Sequence, residues 1–455
     1  MEKNKKIFVL LKIYKGDVSP FDECAIECAL SFPNSEVTLI SMAPLSQIET
    51  LENFTRLGAN AILISDSLYA GSDTIITSKI LGRFLEIEKP DLIFCGRESL
   101  DGNTGQVPLM LSELLHFELA NKVMSINDQT VSLRDGRSIK LDSHQLVTFE
   151  KFKLLSSPSI NSKKREVRIV TNKDLGFSKD EVGLIASPTR VIDTYTNEND
   201  RRICEFIEYR DLETTIASSL KKNPTEKKNE INKAPLIHFV GKLYDIAALF
   251  GEKCEEIQVD GFSIDEIIQK INAIKPRIIL WEENEIYKPL ASQVAIKMNL
   301  GLCADCISFD YQNDRFVMVR PALGGNVIAS IVSNSSIAMA TIKATSKIKE
   351  DVAITIGRGA MKHFKKIESL ADKYHAKIYS TRPLADSGFL PYETQVGLTG
   401  ITITPKVCIT LGTSGAIQHV VGINKSTTII AININKKEPI FCFSDYGIIM
   451  DIKDM

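Results

Sequence analysis

No stretch of the 455 residues approaches the roughly 18 to 20 consecutive apolar residues that a membrane-crossing helix requires, so no integral membrane segment is expected. An excess of either charge is missing too. The 55 Lys and Arg nearly balance 57 Asp and Glu for a net charge of -2, leaving no bulk basic field for nucleic acid or an anionic membrane surface. Cysteine is scarce: nine residues, odd in number and without framework spacing, point to reduced thiols in a cytoplasmic compartment. Cys303-Ala304-Asp305-Cys306 has two-residue metal spacing, but no second Cys or His pair accompanies it, so no metal site is expected. No Ser-His-Asp or Cys-His arrangement stands out. The basic start, Met1 to Lys6, runs into Ile7 to Leu11, which Lys12 interrupts and no small-residue cleavage site follows, so it reads as a first strand. The chain is 44% apolar and 25% charged, long enough for substantial cores and more than one domain, with small ligands or proteins as the expected partners.

Short β-rich runs alternate with helical patterns from the beginning. Ile7 to Tyr14, Val37 to Met42, Ala61 to Ser65 and Asp91 to Cys95 read as strands separated by helix-length stretches, which implies a mostly parallel sheet covered on both faces. After Val123, the turn Arg134-Asp135-Gly136 marks an antiparallel excursion before Gln145 to Phe149. Leu154 to Arg165 is polar and turn-rich, a surface loop ending in the basic run Lys163-Lys164-Arg165, which could dock an acidic partner or simply be solvated. Asp211 to Lys222 is helical, and Asn223 to Ala234 is a charged linker. Beyond it a weak repeat emerges. Glu86 to Phe94 resembles Asn272 to Leu280, and the small-residue turns Leu119 to Val123 and Cys303 to Ile307 follow at similar distances, with offsets of 186 residues at the prolines and 184 at the turns. A third unit begins near Asp351, with strands Val352 to Ile356, Lys377 to Ser380, Val407 to Leu411, Thr427 to Ile434 and Phe441 to Ile449.

Gly96 to Val107 (GRESLDGNTGQV) follows a strand and precedes a helix, where free backbone N–H groups bind phosphate or ribose; an unliganded glycine-rich turn is the plainer alternative. The matching loop of the second unit, Glu282 to Tyr287, has no glycine and is not expected to hold phosphate. In the third unit Gly357 to Gly359, Ser380 to Arg382, Gln395 to Gly400 and Gly412 to His419 could converge at strand ends. Four such loops suit a large phosphorylated cofactor lying across the sheet's switch point.

At these loops the chain resembles the electron-transfer flavoproteins, with a beta-like half fused ahead of an alpha-like half. The carboxy-terminal third carries GRG, ADSGFLPYETQVGLTG, LGTSGAIQH, AININ, EPIF and SDYG; SPFDECAIECAL, AGSDT, DGNTGQV and GLIASPTRV match the beta subunit, and GLCADC and RPALGGN the first alpha domain. The resemblance implies an α/β fold of Rossmann-like parallel-sheet units, two related amino-terminal units followed by a carboxy-terminal FAD-binding domain. It divides the chain into a beta-like adenine-nucleotide domain at 1–210, an arm helix and linker at 211–234, a truncated first alpha domain at 235–350 and the FAD domain at 351–455.

It further implies FAD contacts from Arg358, Thr381, Arg382, Gln395, Val396, Gly397, Leu398, Thr399, Ser414, Gly415, Ala416, Ile417, Gln418, His419, Asn433 and Asp445. Arg382 would place a fixed positive charge near the ring system and His419 would donate to its pyrimidine oxygen, favouring the anionic reduced flavin. Thr399 would offer its hydroxyl to the reactive ring nitrogen. A second adenine nucleotide, AMP or a second FAD, is implied at Leu10, Ser19, Pro20, Phe21, Asp22, Met42, Gly96, Asp101, Gly102, Asn103, Thr104, Gly105, Gln106 and Val107. Departures from the family pattern are Thr381 for Ser, Leu398 for Gln, Ile401 for Lys and Ile434 for Lys. The expected function is electron carriage via FAD between redox proteins, one of them a flavin dehydrogenase resembling the acyl-CoA dehydrogenases. The alternatives are an electron-bifurcating protein linked to NADH and ferredoxin, and a flavin-free adenine-nucleotide sensor.

Overall fold

The computed structural model describes residues 4–196, 201–222, 235–243, 250, 254–312, 314–323, 327–342, 350–397 and 400–455. The expected linker at 223–234 lies outside them. Three α/β units are formed, each around a parallel sheet, as the alternation of apolar runs and helical periods requires.

The first unit's sheet runs, in spatial order, Ser138–Lys140, Thr130–Leu133, Glu118–Asn127, Gln145–Phe149, Leu92–Gly96, Lys5–Leu10, Ser35–Met42, Asn60–Ile64 and Arg168–Val170. Lys5–Leu10 pairs in parallel with both Ser35–Met42 and Leu92–Gly96, so the chain reverses its direction of winding between the first strand and Leu92–Gly96. The excursion through Thr130–Leu133 and Ser138–Lys140 is antiparallel, as the Arg-Asp-Gly turn implied.

The second unit repeats this order. Ile237–Val240 pairs with Ile278–Glu282, which pairs with Ala338–Ile342, which pairs with Leu302–Cys306, all in parallel. In both units the helix before the second of these strands ends on a left-handed Lys followed by Pro: Lys89 (φ 52°) after Thr74–Glu88 and Lys275 (φ 53°) after Ile264–Ile274. The segments read as small-residue turns are in fact bulged strands. Their registers shift between Ala120 and Val123 and between Cys303 and Cys306. In each bulge one residue takes positive φ, Lys122 (57°) or Asp305 (55°), and its N–H donates to a threonine of the neighbouring strand, Thr148 at 2.7 Å or Thr341 at 2.9 Å. The two units are packed together through one shared core in which Met110 and Leu111 of helix Gln106–Leu115 join Ala291, Val294 and Ala295 of helix Tyr287–Met298.

The expected boundary at 210 is displaced. Thr189–Thr196 leaves the first unit and pairs antiparallel with Val327–Ser333, extending the second unit's hairpin Arg315–Ala322 and Ser308–Gln312. Glu205–Phe206 then joins the third unit as an edge strand beside Tyr446–Ile449. Leu212 and Ile216 of the expected arm helix, here Leu212–Leu220, are 2% and 1% exposed in the third unit's core. That unit's sheet is wholly parallel, in the order Glu205–Phe206, Tyr446–Ile449, Thr428–Asn433, Val407–Leu411, Val352–Ile356 and Lys377–Ser380. Residues 441–443, read as the start of a closing strand, instead end the 3-10 turn Pro439–Phe443. No described helix is long and apolar enough to cross a membrane. All nine cysteines are free.

Candidate functional site

Winding reverses at the carboxyl ends of parallel strands in each unit, the place where open α/β sheets bind ligands, and in the first and third units glycine-bearing loops stand there. In the third unit the reversal lies between Val352–Ile356 and Val407–Leu411. Gly357 donates its N–H to Leu411 (2.9 Å) and Gly412 donates to Ile432 (3.0 Å), so the ladder continues into the loops. A Cβ on Gly357 would lie 2.3 Å from the Gly412 carbonyl oxygen. Thr381 and Val396 are tied in similarly, by N–H bonds to Ile356 (3.0 Å) and Ser380 (2.9 Å). Gly415 has φ +82°, and its Cβ would stand 2.1 Å from the Ile440 nitrogen; only glycine fits there. Asn433 pins the same loop, its amide nitrogen donating to the Thr413 carbonyl at 2.8 Å.

These contacts bring Arg358, Thr381, Arg382, Gln395 to Gly397, Ser414 to His419 and Asn433 to one edge of the sheet. Ser414 and Gln418 are exposed, as is Arg358, while His419 is 5% exposed with neither ring nitrogen partnered. Leu398 and Thr399 lie outside the described residues. The helix expected to open at Gly412 is only Ile417–Val420, too short to contribute a helix dipole. Asp445 is separated from the group. It precedes Tyr446–Ile449, at the amino end of the sheet, where it pairs with Arg202 (2.5 Å) and accepts the Ile429 N–H (2.7 Å). Its carboxylate fastens the arm to the sheet, and the expected FAD contact is withdrawn.

In the first unit, Leu10, Met42 and Gly96 stand at strand ends, and Ser19 caps helix Pro20–Leu30 by accepting the Phe21 N–H at 3.2 Å. Asp22 spans the reversal, accepting N–H bonds from Gly96 (2.9 Å) and Lys12 (3.3 Å). Burial pushes its carboxyl up to about 7 against those bonds. Asp101 is paired with Lys12 at 2.7 Å, bracing the glycine-rich loop, and Gln106 bridges Thr74 and the Leu302 carbonyl.

The third unit's crevice faces the first unit. The Arg382 guanidinium sits 4.8 Å from the Phe21 ring centroid and 4.0 Å from Glu98, while Arg97 lies 4.6 Å from the same ring. Arg134 lies 4.6 Å from the Tyr392 ring, whose hydroxyl donates to Asp386 at 2.8 Å. Sequence reasoning singled out Phe21 and Arg382 but not their contact, because they are far apart in the chain. Arg134 and Tyr392 carried no local signal beyond a turn and a loop motif.

Fold and site together define an α/β protein of Rossmann-like parallel-sheet units with glycine-bearing loops at the topological reversals of the first and third units. Residues 7–140 and 263–369 match the electron transfer flavoprotein domain, and 348–424 match the electron transfer flavoprotein FAD-binding domain. The chain is 32% identical over 224 residues to the electron transfer flavoprotein subunit alpha of Thermoanaerobacterium thermosaccharolyticum, covering 39% of this chain and 68% of that one. It is also 32% identical over 202 residues to subunit beta of the same organism, covering 40% of this chain and 77% of that one. A third relative, the lactate dehydrogenase (NAD(+),ferredoxin) subunit LctC of Acetobacterium woodii, is 29% identical over 237 residues, 42% of this chain and 56% of its own. The chain belongs to the electron transfer flavoprotein family, and its carboxy-terminal unit is the family's FAD-binding domain.

The residues present fit FAD: a buried imidazole with two unpartnered nitrogens adjoins glycine-rich backbone too close-packed for any Cβ. Burial also lowers the His419 pKa to about 4, so the folded chain holds it neutral, able to donate one proton. An unfolded histidine titrates near 6.5. Below that pH the unfolded state gains a proton that the folded state refuses, so stability present above about 6.5 falls as pH drops toward 4. Asp22, with its raised pKa, acts in the opposite direction over the same range in both chains, so the histidine's part is expected as a greater loss of thermal stability between pH 7.5 and 4.5 in the flavin-depleted wild type than in His419→Gln. A variant curve parallel to the wild type would contradict the assignment.

Proposed function

We propose that this chain is an electron carrier in which a beta-like half, an arm and an alpha-like half are joined in one polypeptide, with FAD held in the third unit. The supporting observation is the repetition of the family domain, once at 7–140 and again at 263–369, with the FAD-binding domain following only the second copy. Fusion keeps the halves at high effective concentration and fixes their stoichiometry.

Bound FAD supplies the redox centre that accepts and passes on electrons. Arg358, Thr381, Gln395 to Gly397, Ser414 to His419 and Asn433 would hold it. Neutral His419 would donate a hydrogen bond without adding charge, while Arg382 would bring fixed positive charge to the side of the site facing the first unit. The donor or acceptor is a flavin dehydrogenase of the acyl-CoA-dehydrogenase type, docking at the loop Leu154 to Arg165, where Leu154 and Ile160 are 77% and 95% exposed. The second adenine nucleotide, AMP or a second FAD, would occupy the crevice at Leu10, Ser19 to Asp22, Met42, Gly96 and Asp101 to Val107.

A second reading, bifurcation of electrons from NADH toward ferredoxin and the third-unit FAD, is favoured by the contact of Phe21 with Arg382, which sets the two crevices side by side. Anaerobic mixing of the purified chain with a pre-reduced acyl-CoA-dehydrogenase-type flavoenzyme is expected to bleach the chain's flavin. Bleaching by NADH alone would favour bifurcation, and none by either donor would contradict both.

A further inference from the structure

Thr189–Thr196 is the outer strand of its four-stranded sheet. Val327–Ser333 pairs with one side of it, and among the described residues no strand pairs with the other. Arg190 to Tyr195 are all exposed, the apolar Val191 and Ile192 to 59% and 54%. A strand edge left open in this way, with apolar side chains along it, is a template for one more strand.

The charges on the strand select what pairs with it. It carries one of each sign, Arg190 and Asp193, and neither is in an ion pair among the described residues. In a regular strand, residues three apart point to opposite faces. Here Ile192 is the extra residue of a bulge. Arg190 stands opposite Val332 and Asp193 opposite Ser330, which are two positions apart on the neighbouring strand, so the two charges share a face. A two-fold axis perpendicular to the sheet, passing between Val191 and Ile192, sets Arg190 of each copy against Asp193 of the other and Val191 against Ile192. Opposite charges directly across an antiparallel pair are favourable, and like charges are not. The strand is therefore complementary to a second copy of itself.

We propose that two copies of this chain associate through their Thr189–Thr196 strands, paired antiparallel so that the two sheets join edge to edge. The contact uses the same surface on both copies, so it closes on itself at two and does not propagate into a fibre. One pair of strands is a small interface, and the dimer is accordingly a weak one whose population follows protein concentration. It calls on no cofactor and no redox partner, so it stands or falls apart from the electron-carrier reading.

Sedimentation of the full, flavin-containing chain from about 1 to 100 µM tests it, and the wild type is expected to pass from monomer to dimer across that range. Asp193→Arg sets two arginines against each other at each end of the contact and is expected to weaken the dimer about tenfold, with the flavin spectrum unchanged. Arg190→Asp is expected to do the same with two carboxylates and decides the matter should Asp193→Arg not fold. Both changes in one chain re-create opposite charges across the axis and are expected to restore the dimer. The proposal is overturned by a wild type that stays monomeric throughout, which would leave the edge to a strand of another protein. It is equally overturned by a dimer that neither single charge reversal weakens, or by a double variant no tighter than the single ones. Flavin absorbance of the same samples reports on the electron-carrier reading separately.

Discussion

Gly415→Ala is expected to yield a chain that retains at least tenfold less FAD than the wild type when purified in parallel. The added methyl would sit 2.1 Å from the Ile440 nitrogen and 2.4 Å from its Cα, both backbone atoms that no rotamer change can move. The residue also holds φ +82°, where a Cβ costs on the order of 1 to 2 kcal/mol by itself. Relief requires the 412–415 loop to part from residues 439–440, and that loop carries Ser414 and leads directly to His419. Gly388→Ala is the matched control. Its φ of +70° imposes similar strain, but nothing lies within 4 Å of the new methyl, so it is expected to keep its flavin. Absorbance near the flavin maximum, normalised to protein, checks both. Wild-type flavin content in Gly415→Ala would mean that the loop does not shape the cofactor site.

The second large effect is expected from the arm. Ile216→Ala opens a cavity beneath the third sheet, where the side chain is 1% exposed beside Leu212, Val407 and Ile409. Deletions of this size cost about 2–5 kcal/mol. For a unit of this length that lowers the unfolding midpoint by roughly 10 °C. Arg202→Met acts on the same junction from the other side. It removes the ion pair to Asp445 and two bonds of 2.8 Å to the Asn424 and Ser426 carbonyls. Both variants are expected to release flavin at lower temperature than the wild type, followed by flavin fluorescence during heating. An unchanged release temperature in both would show that the arm only tethers the unit and does not build it.

How far the sequence could be read varies by element in a physically consistent way. Strand Val352–Ile356 and strand Val407–Leu411 coincide with their expected bounds because buried parallel strands are mostly β-branched, apolar runs, here broken only by Thr355 and Thr410 and ended by glycine. The doubled Lys-Pro helix ends were legible for a similar reason, since a local backbone conformation leaves a local signature. Pairing across the chain left no such mark. Thr189–Thr196 looks like any exposed strand, and only its register against Val327–Ser333 reveals that it joins the second unit. Asp445 was misplaced because a loop motif does not say which end of a sheet it occupies. The bulges at Lys122 and Asp305 were read as turns because single residues of positive φ mimic turn chemistry within a strand.

The central claim, that the third unit carries FAD beside a second adenine-nucleotide crevice, is tested most directly by the visible spectrum of the purified chain and chromatography of the nucleotides it releases on denaturation. One FAD and one further adenine nucleotide, AMP or a second FAD, per chain is the predicted result. A chain that stays colourless after incubation with FAD would contradict the account.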